Sequence, residues 1–203
     1  MGWAPVVQPL LQIRPLAPDV PDLDGFAAVA FTSRNGVAAF VALTSRRGFR
    51  VFAVGDATAQ AARDAGFADV LSADGAVDDL AALIAQNLGY NDRLLAAVAK
   101  EPVADLAALL AGHVRVDTLA VYEAVETGAA APEDVAAILI HSPRAAAALA
   151  ALDIRAAGRP CVVAISAHAA APLKALRIAD LRIASHPSDA AMRLALGKPA
   201  PGV

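Results

Sequence analysis

Four short segments of the chain bring small or hydroxyl-bearing residues to the start of a predicted helix. They are residues 32–35, 55–58, 142–144 and 166–168, and each follows a short apolar run typical of a buried strand. We call each of these places, where a strand gives way to a helix, a corner. A Ser or Thr oxygen at a corner caps free backbone N–H groups, and the helix dipole attracts anions by about 0.3–1 kcal/mol at an exposed site. Four corners could together hold a ligand with several negative groups. The alternative is that these residues are ordinary caps and turn residues.

One tyrosine stands where it could supply a proton. Tyr122 is one of two tyrosines and lies in the extended segment 119–125. A phenol beside a cleft can donate a proton to a departing hydroxyl group, a role worth roughly 10²–10⁴-fold in rate. The alternative is that Tyr122 packs its ring on this segment as an ordinary amphipathic residue.

The chain carries few signals for metal or nucleotide chemistry. His141 and His186 have no second candidate ligand at metal spacing, and the single cysteine, Cys161, lies in a strand-like run that favours a buried apolar role. The glycine-rich loops that bind phosphates and the nucleophile elbow of α/β-hydrolases do not occur. We therefore expect no metal site, and nucleotide, hydride and α/β-hydrolase chemistry all lack their signatures.

Composition and charge narrow the function classes further. The 203 residues carry a net charge of −3 and are 58% hydrophobic, enough for a compact core. Basic residues cluster only at Arg46 and Arg47, so we expect no nucleic-acid partner. The longest uncharged apolar stretch, 160–173, is too short to span a membrane, and the start of the chain lacks the basic residues of a signal peptide. We expect a cytoplasmic protein with no membrane partner.

The elements that must position the corner residues alternate between short β-rich runs and Ala/Leu-rich helical segments. Examples are the apolar run 27–31 followed by the helical segment 37–43. This alternation predicts βαβ units in a parallel sheet, and the uninterrupted apolar strands predict helices on both faces. The corners should then lie beyond the carboxyl ends of the strands, where open α/β sheets bind ligands.

The alternation restarts near residue 137, and the restart is an internal repeat. Residues 29–35 match 138–144, which aligns Ser33 with Ser142, and 53–55 match 164–166. The chain is therefore predicted to hold two related α/β domains, residues 16–118 and residues 1–15 with 119–203. The segments 6–13 and 119–125 would run past each other as a two-stranded connector, with a cleft between the domains.

Five motifs, in order over nearly the whole chain, resemble uroporphyrinogen-III synthase. They are FTSRNGV (31–37), VGDATA (54–59), VYEA (121–124), HSPR (141–144) and SHPS (185–188). The resemblance implies two flavodoxin-like parallel-sheet domains joined by a two-stranded connector, and no cofactor. It also implies a linear tetrapyrrole octacarboxylate substrate, hydroxymethylbilane, which the family cyclises to uroporphyrinogen III with loss of water and inversion of the terminal ring. We expect a monomer acting on this small molecule.

Carried over by position, the resemblance makes Tyr122 the candidate acid for the departing hydroxyl. The corner residues would bind the acetate and propionate groups through side-chain donors and backbone N–H groups. These residues are Ser33, Arg34, Asn35, Gly55, Thr58, Ser142, Arg144, Ser166 and His168.

The chain departs from the family pattern in three places. Relatives often show a glycine and following threonines at the fourth corner, where this chain has Ser166 and His168, so His168 would serve as a partly protonated donor. Segment 95–100 lacks a glycine that often follows this strand. The family opens with a further strand and helix, so the N-terminal strand and helix of one domain would be missing here, through a mis-assigned start or a real truncation. The alternative function is a catalytically inactive, truncated tetrapyrrole-binding or scaffold homologue.

Overall fold

The computed structural model describes residues 2–152, 154, 159–176 and 178–198. The chain divides into two compact units, which we call the central unit (residues 13–124) and the terminal unit (residues 1–12 and 125–203). The domains predicted from the sequence have borders within a few residues of these. The domain assignment itself stays a prediction.

A six-stranded sheet runs through the central unit. Its strands in chain order are β1 (Leu11–Pro15), β2 (Ala28–Phe31), β3 (Arg50–Ala53), β4 (Asp69–Ser72), β5 (Arg93–Ala99) and β6 (Arg115–Glu126). Their order across the sheet is β1-β6-β5-β2-β3-β4, and the strands from β2 to β6 are parallel. The winding reverses between β2 and β5. In open α/β sheets, ligands bind at such a reversal, beyond the carboxyl ends of the strands.

The strand order explains how this sheet relates to a flavodoxin sheet. Its five parallel strands follow the order 3-2-1-4-5 in chain sequence, whereas a flavodoxin sheet follows 2-1-3-4-5. If the strands of a flavodoxin sheet are renumbered so that the third strand comes first and the first two come last, the order read from the opposite edge becomes 3-2-1-4-5, as found here. The sheet is therefore a circular permutation of the flavodoxin arrangement.

Helices cover both faces of the central sheet. The helices α1 (Arg34–Leu43) and α2 (Asp56–Asp64) pack on one face, and α3 (Val77–Asn87) and α4 (Leu106–Leu109) pack on the other. Successive strand residues alternate between the two buried clusters, with Phe31 in the first and Ala30 in the second. Burial on both sides is what the uninterrupted apolar strands of the sequence predicted.

Strands β1 and β6 are neighbours at one edge of the sheet and run antiparallel. The Leu16 amide donates to the Val121 carbonyl at 2.9 Å, and the Thr127 amide donates to the Leu10 carbonyl at 3.0 Å. Residue numbers therefore fall along one strand as they rise along the other. Both strands cross the border between the two units, as the predicted two-stranded connector requires.

The N-terminal strand begins later than the sequence predicted. It starts at Leu11 instead of residue 6, and Val6 and Val7 are left 80% and 88% exposed. Pro5 and Pro9 bracket this stretch and lack the backbone N–H that a sheet ladder needs.

The terminal unit contains a separate parallel sheet with the order β7-β8-β9. Its strands are β7 (Ala137–Ile140), β8 (Cys161–Ala164) and β9 (Leu181–Ile183), and its helices are α5 (Pro143–Ala150), α6 (Ala167–Ala170) and α7 (Asp189–Leu196). Strands and helices alternate here as they do from β2 to α3, as the internal repeat predicted. Among the described residues β7 pairs with β8 alone. The expected absence of a preceding strand and helix stays a prediction.

The predicted α/β class with two parallel sheets is confirmed, but one predicted helix is much shorter than expected. Segment 103–110 forms only the four-residue α4, because the Asp105 side chain accepts a hydrogen bond from the Ala108 amide at 3.1 Å and starts the helix there. Gly112, at φ 82°, follows shortly after the helix ends.

Candidate active site

The corner after β2 is built by a serine cap and a glycine. Ser33 is the N-cap of α1, and its Oγ accepts a hydrogen bond from the Gly36 amide at 3.0 Å. A Cβ at Gly36 would lie 2.9 Å from the Ala97 carbonyl oxygen, so glycine is needed for the helix start to approach β5 this closely. The first turn of α1 carries no acidic residue, and Arg34 and Asn35 are exposed on it. An incoming carboxylate would meet a helix N-terminus and a guanidinium here.

Tyr122 reaches this corner from β6. Its hydroxyl lies 2.9 Å from Ser33 Oγ, and the residue is only 9% exposed. Ser33 Oγ already accepts the Gly36 N–H, which leaves it one proton and one lone pair for the phenol. The serine can therefore donate to Tyr122 or accept from it. A tyrosine held in this way can release its own proton to a ligand at the corner.

A β-bulge turns Tyr122 toward Ser33. Strand β5 pairs Val98 with Ala120 and then Ala99 with Tyr122, so Val121 is an extra residue on β6. In a regular strand neighbouring side chains point to opposite faces, yet Val121 and Tyr122 both belong to the cluster on the α1 and α2 face. The bulge therefore places the phenol on the face where Ser33 lies, a known use of bulges beside functional sites.

A row of charges crosses three strands next to Tyr122. Glu123 accepts hydrogen bonds from Arg14 Nε at 2.8 Å and from Lys100 Nζ at 3.2 Å. These two bonds hold the pKa of the Glu123 carboxyl below its usual value, and the bond from Arg14 has the larger effect. The Lys100 amide also donates to the Tyr122 carbonyl at 2.8 Å. The row thus ties β1 and the end of β5 to the part of β6 that carries the tyrosine.

This charge row was not predicted from the sequence. In the antiparallel connector, the bond between Leu16 and Val121 places Arg14 opposite Glu123. Only the register between two segments far apart in the chain gives that pairing. The available signal was an acidic residue next to Tyr122 in the VYEA motif, together with an arginine directly after the other predicted connector segment.

The second corner differs from the first in charge and in burial. Gly55 is the N-cap of α2 and has no side chain to cap it, while Asp56 already places a carboxylate in the first turn. Thr58 is only 6% exposed. A ligand carboxylate could use the backbone N–H groups beside Gly55, but it would meet Asp56, and the Thr58 side chain is buried.

The third corner repeats the serine cap in the terminal unit. Ser142 caps α5 by accepting from the Ala145 amide at 3.1 Å, with Pro143 in the first turn. Arg144 is half-buried in the same turn. The preceding His141 lies 3.2 Å from a carboxylate oxygen of Asp189.

The fourth corner has the shortest helix. Ser166 caps α6 by accepting from the Ala169 amide at 3.1 Å, and α6 is four residues long. His168 is exposed in this helix. The serine and histidine are thus both available to solvent or ligand, although so short a helix adds only a small dipole.

The structure brings some of the predicted site residues together and leaves others separate. Ser33 and Tyr122 are in contact, with Arg34 and Asn35 on the adjoining turn. Gly55 and Thr58 begin the helix after the neighbouring strand, and the two remaining corners belong to the terminal unit. The binding of one ligand by all four corners stays a prediction.

Among the described residues, no group of three or more His, Cys, Asp or Glu side chains is arranged to hold a metal ion. None of the helices in the same residues combines the length and the hydropathy needed to cross a membrane.

Comparison with known proteins identifies the family. The family model described as uroporphyrinogen-III synthase HemD matches residues 1–193. The crystal structure of uroporphyrinogen-III synthetase from Helicobacter pylori is similar, with a TM-score of 0.72, 20% identity, and coverage of 90% of this chain and 87% of that one. A mutant uroporphyrinogen III synthase from Thermus thermophilus has a TM-score of 0.53 and 18% identity, with 86% and 81% coverage. No curated protein matches significantly.

At these identities the two solved structures support the fold alone, and the family rests on the match to residues 1–193. The five motifs predicted the same family from the sequence. The chain therefore belongs to the uroporphyrinogen-III synthase family.

Proposed function

We propose that this family member is a cyclising hydro-lyase of haem biosynthesis, which converts hydroxymethylbilane to uroporphyrinogen III and water. The observation that carries the proposal is the hydrogen bond between Tyr122 and Ser33, because it holds a proton donor near the carboxyl ends of the parallel strands. The terminal ring of the product is inverted relative to the linear substrate.

Tyr122 acts as the general acid for the departing hydroxyl. It donates its phenolic proton to that oxygen as the carbon–oxygen bond breaks, and the neighbouring pyrrole nitrogen supplies the electrons, which gives water, a positively charged azafulvene (an azafulvenium ion) and the phenolate of Tyr122. A spiro intermediate forms and reopens, and the final bond is made by the unsubstituted carbon of the terminal pyrrole, which then loses its hydrogen as a proton that the phenolate can take back. The enzyme therefore returns to its starting state without a cofactor.

Ser33 orients the acid. Its Oγ accepts the Gly36 N–H, so donation of its own O–H to the phenol oxygen leaves the tyrosine proton free to point at the substrate. The same donated bond stabilises the phenolate that forms after proton transfer, at a site only 9% exposed. We therefore assign Ser33 a positioning role in addition to its predicted contact with substrate.

The substrate carboxylates bind at the helix starts. The corners at Ser33, Ser142 and Ser166 favour this role, because no acidic residue occupies the first turn of α1, α5 or α6. Arg34, Asn35, Arg144 and His168 add side-chain donors on the same turns. Gly55 offers backbone donors, and Thr58 contributes mainly by packing. The expected monomeric state and cytoplasmic location remain predictions.

Assay with freshly made hydroxymethylbilane tests the proposal. The wild-type protein should form the type III isomer faster than the type I isomer forms spontaneously. Tyr122→Phe should lower turnover by about 100-fold or more, since the variant keeps the ring and loses the proton. The matched control is Tyr90→Phe, because Tyr90 is the other tyrosine, is 62% exposed and stacks with Arg115.

The outcomes separate the two functions. Type I product alone, together with tight binding of uroporphyrin, would identify a catalytically inactive tetrapyrrole-binding homologue. Normal turnover by Tyr122→Phe would remove Tyr122 from the acid role. A fall in the thermal midpoint of Tyr122→Phe as large as that of a core variant would make the tyrosine a packing residue.

A further inference from the structure

A cavity of about 440 Å³ lies in the terminal unit, at the amino ends of its strands, whereas the serine corners lie at the carboxyl ends. Ala136, Cys161 and Asp180 line it and stand at the amino ends of β7, β8 and β9. Ser142 and Ser166 follow the carboxyl ends of β7 and β8. Since a four-residue strand is roughly 13 Å long, the cavity is separate from those corners. Its volume lies in the range of small-molecule sites.

The cavity has a surplus of positive charge. Its one carboxylate, Asp180, is bound by Arg182 at both oxygens, at 2.9 and 2.7 Å. The remaining charged lining residues are Arg159 and Lys198, which form no hydrogen bond or ion pair with any described residue. Two cations are therefore left to balance an incoming anion.

Arg182 also removes the main electrostatic obstacle to an anion. Helix α7 ends at the cavity, and the carbonyl groups of a helix C-terminus repel negative charge. Arg182 Nη1 donates to the Ala195 and Leu196 carbonyls at 2.9 and 3.0 Å, which offsets that end of the helix. The Cys161 thiol adds no negative charge, because burial, helped by Asp180, raises its pKa.

An aromatic wall accompanies the cations. Trp3 lines the cavity, is 38% exposed, and is fixed by a hydrogen bond from its indole Nε1 to the Gly197 carbonyl at 2.8 Å. Val135 and Leu196 extend the apolar surface beside it. A flat apolar group can pack against the indole while its charged end reaches the cations.

We infer that this cavity binds a small aromatic anion, such as an aryl phosphate or aryl carboxylate, at a site distinct from the proposed tetrapyrrole site. The inference does not depend on the proposed synthase reaction. It rests on the volume of the cavity, the Trp3 wall and the charges of Arg159 and Lys198, neither of which is paired with a described residue.

Phenyl phosphate is a suitable probe, and Trp3 supplies the signal because it is the only tryptophan in the chain. Phenyl phosphate should change Trp3 emission saturably, with a dissociation constant of about 1 mM or lower. Phenol and inorganic phosphate each carry half of the recognised chemistry. Each should bind at least about tenfold more weakly than the ester.

The variants Arg159→Gln and Lys198→Gln, combined in one chain, should weaken binding of phenyl phosphate by about tenfold, since exposed charge contacts each contribute a few-fold. Arg193→Gln is the matched control, because Arg193 is an exposed arginine of α7 outside the cavity lining. It should bind like the wild type. Arg159→Lys keeps the charge and should retain most of the affinity.

A linear, unsaturable change in emission, or equal weakening by Arg193→Gln, would overturn the inference. If the double variant does not fold, the wild-type chain still decides the question by NMR. A saturable shift of the Trp3 indole N–H on addition of phenyl phosphate supports the site. No shift at that resonance refutes it.

Discussion

The Ser33 corner and the Ser142 corner come from the same internal repeat, yet they differ in what surrounds the serine. Both serines cap a helix by accepting an amide N–H three residues later, at 3.0 and 3.1 Å. Beside Ser33 the sheet continues into β5 and β6, and Tyr122 reaches the serine. Beside Ser142 the strand β7 has no second neighbour among the described residues, and the terminal unit contains no tyrosine.

This difference distinguishes an ordinary helix cap from the position at which we propose catalysis. A serine cap stabilises a helix wherever it occurs, so the repeated motif alone does not mark a catalytic position. The chemistry that we propose at Ser33 depends on a partner from β6, about ninety residues further along the chain. The Ser142 corner keeps the cap and the nearby arginine, which suits it to bind an anion.

Between the two corners, the largest effect is expected for Ser33→Ala, with Ser142→Ala as its counterpart. Turnover of hydroxymethylbilane should fall by about 10–100-fold in Ser33→Ala, because a hydrogen bond to a group that becomes charged contributes roughly 1.5–3 kcal/mol. Both variants lose one cap and should lose about 1 kcal/mol of stability each. Steady-state kinetics and thermal midpoints, measured on the same samples, give both values.

The Ser142 variant serves as the control, since its effect should appear mainly in the Michaelis constant. If both variants lowered kcat equally with matched stabilities, the two corners would have the same role and the comparison would fail. A double variant of Ser33→Ala with Tyr122→Phe adds a check. It should be little slower than Tyr122→Phe alone if the serine acts through the tyrosine.

The next effect is on stability and concerns Gly36, which the Ser142 corner replaces with alanine at position 145. Gly36→Ala should destabilise the chain by about 1–3 kcal/mol, because its Cβ would lie 2.9 Å from the backbone oxygen of Ala97. Denaturant unfolding measures the change. Gly48→Ala is the control on the exposed loop before β3, since a Cβ there would meet no atom within 4 Å and the stability should change by less than about 0.5 kcal/mol.

The smallest effect concerns the charge row. The folded-state pKa of Glu123 is lowered, so its contribution to stability is present above the ordinary carboxyl value of 4.5 and is lost as the pH falls through the lowered value. Glu123→Gln should therefore be less stable than the wild type at neutral pH, and the gap should close in acid. The effect is small because Arg14 and Lys100 are 63% and 59% exposed.

Thermal midpoints measured from neutral pH into acid test this expectation, with Glu126→Gln as the control at an exposed position of β6. Added salt should reduce the gap, since the charges are partly screened. A gap that stays constant with pH would show that the Glu123 side chain stabilises β6 by packing.

Much of this structure follows from local sequence signals. Apolar runs followed by Ser or Gly predicted the strand ends and the helix starts at Ser33, Gly55, Ser142 and Ser166, because burial and capping depend on neighbouring residues. The internal repeat predicted two sheets for the same reason. The extended segment around Tyr122 predicted its place in the connector.

The remaining features depend on pairing between distant segments. The contact between Tyr122 and Ser33 requires a bulge whose position is set by the register of β5 and β6. The link from Arg14 to Glu123 requires the register of β1 and β6. The short α4 reflects competition by the Asp105 cap, which the helical period of segment 103–110 concealed.

The bulge at Val98 and Ala99 also has a consequence for comparing relatives by sequence. The direction of Tyr122 depends on a difference of one residue between the lengths of two strands. One residue added to β5 at that point would restore regular alternation, and the tyrosine would then point to the other face of the sheet. An alignment would still match tyrosine with tyrosine. Within this family, a shared tyrosine therefore supports the acid role that we propose for Tyr122 only when the spacing of β5 is shared as well.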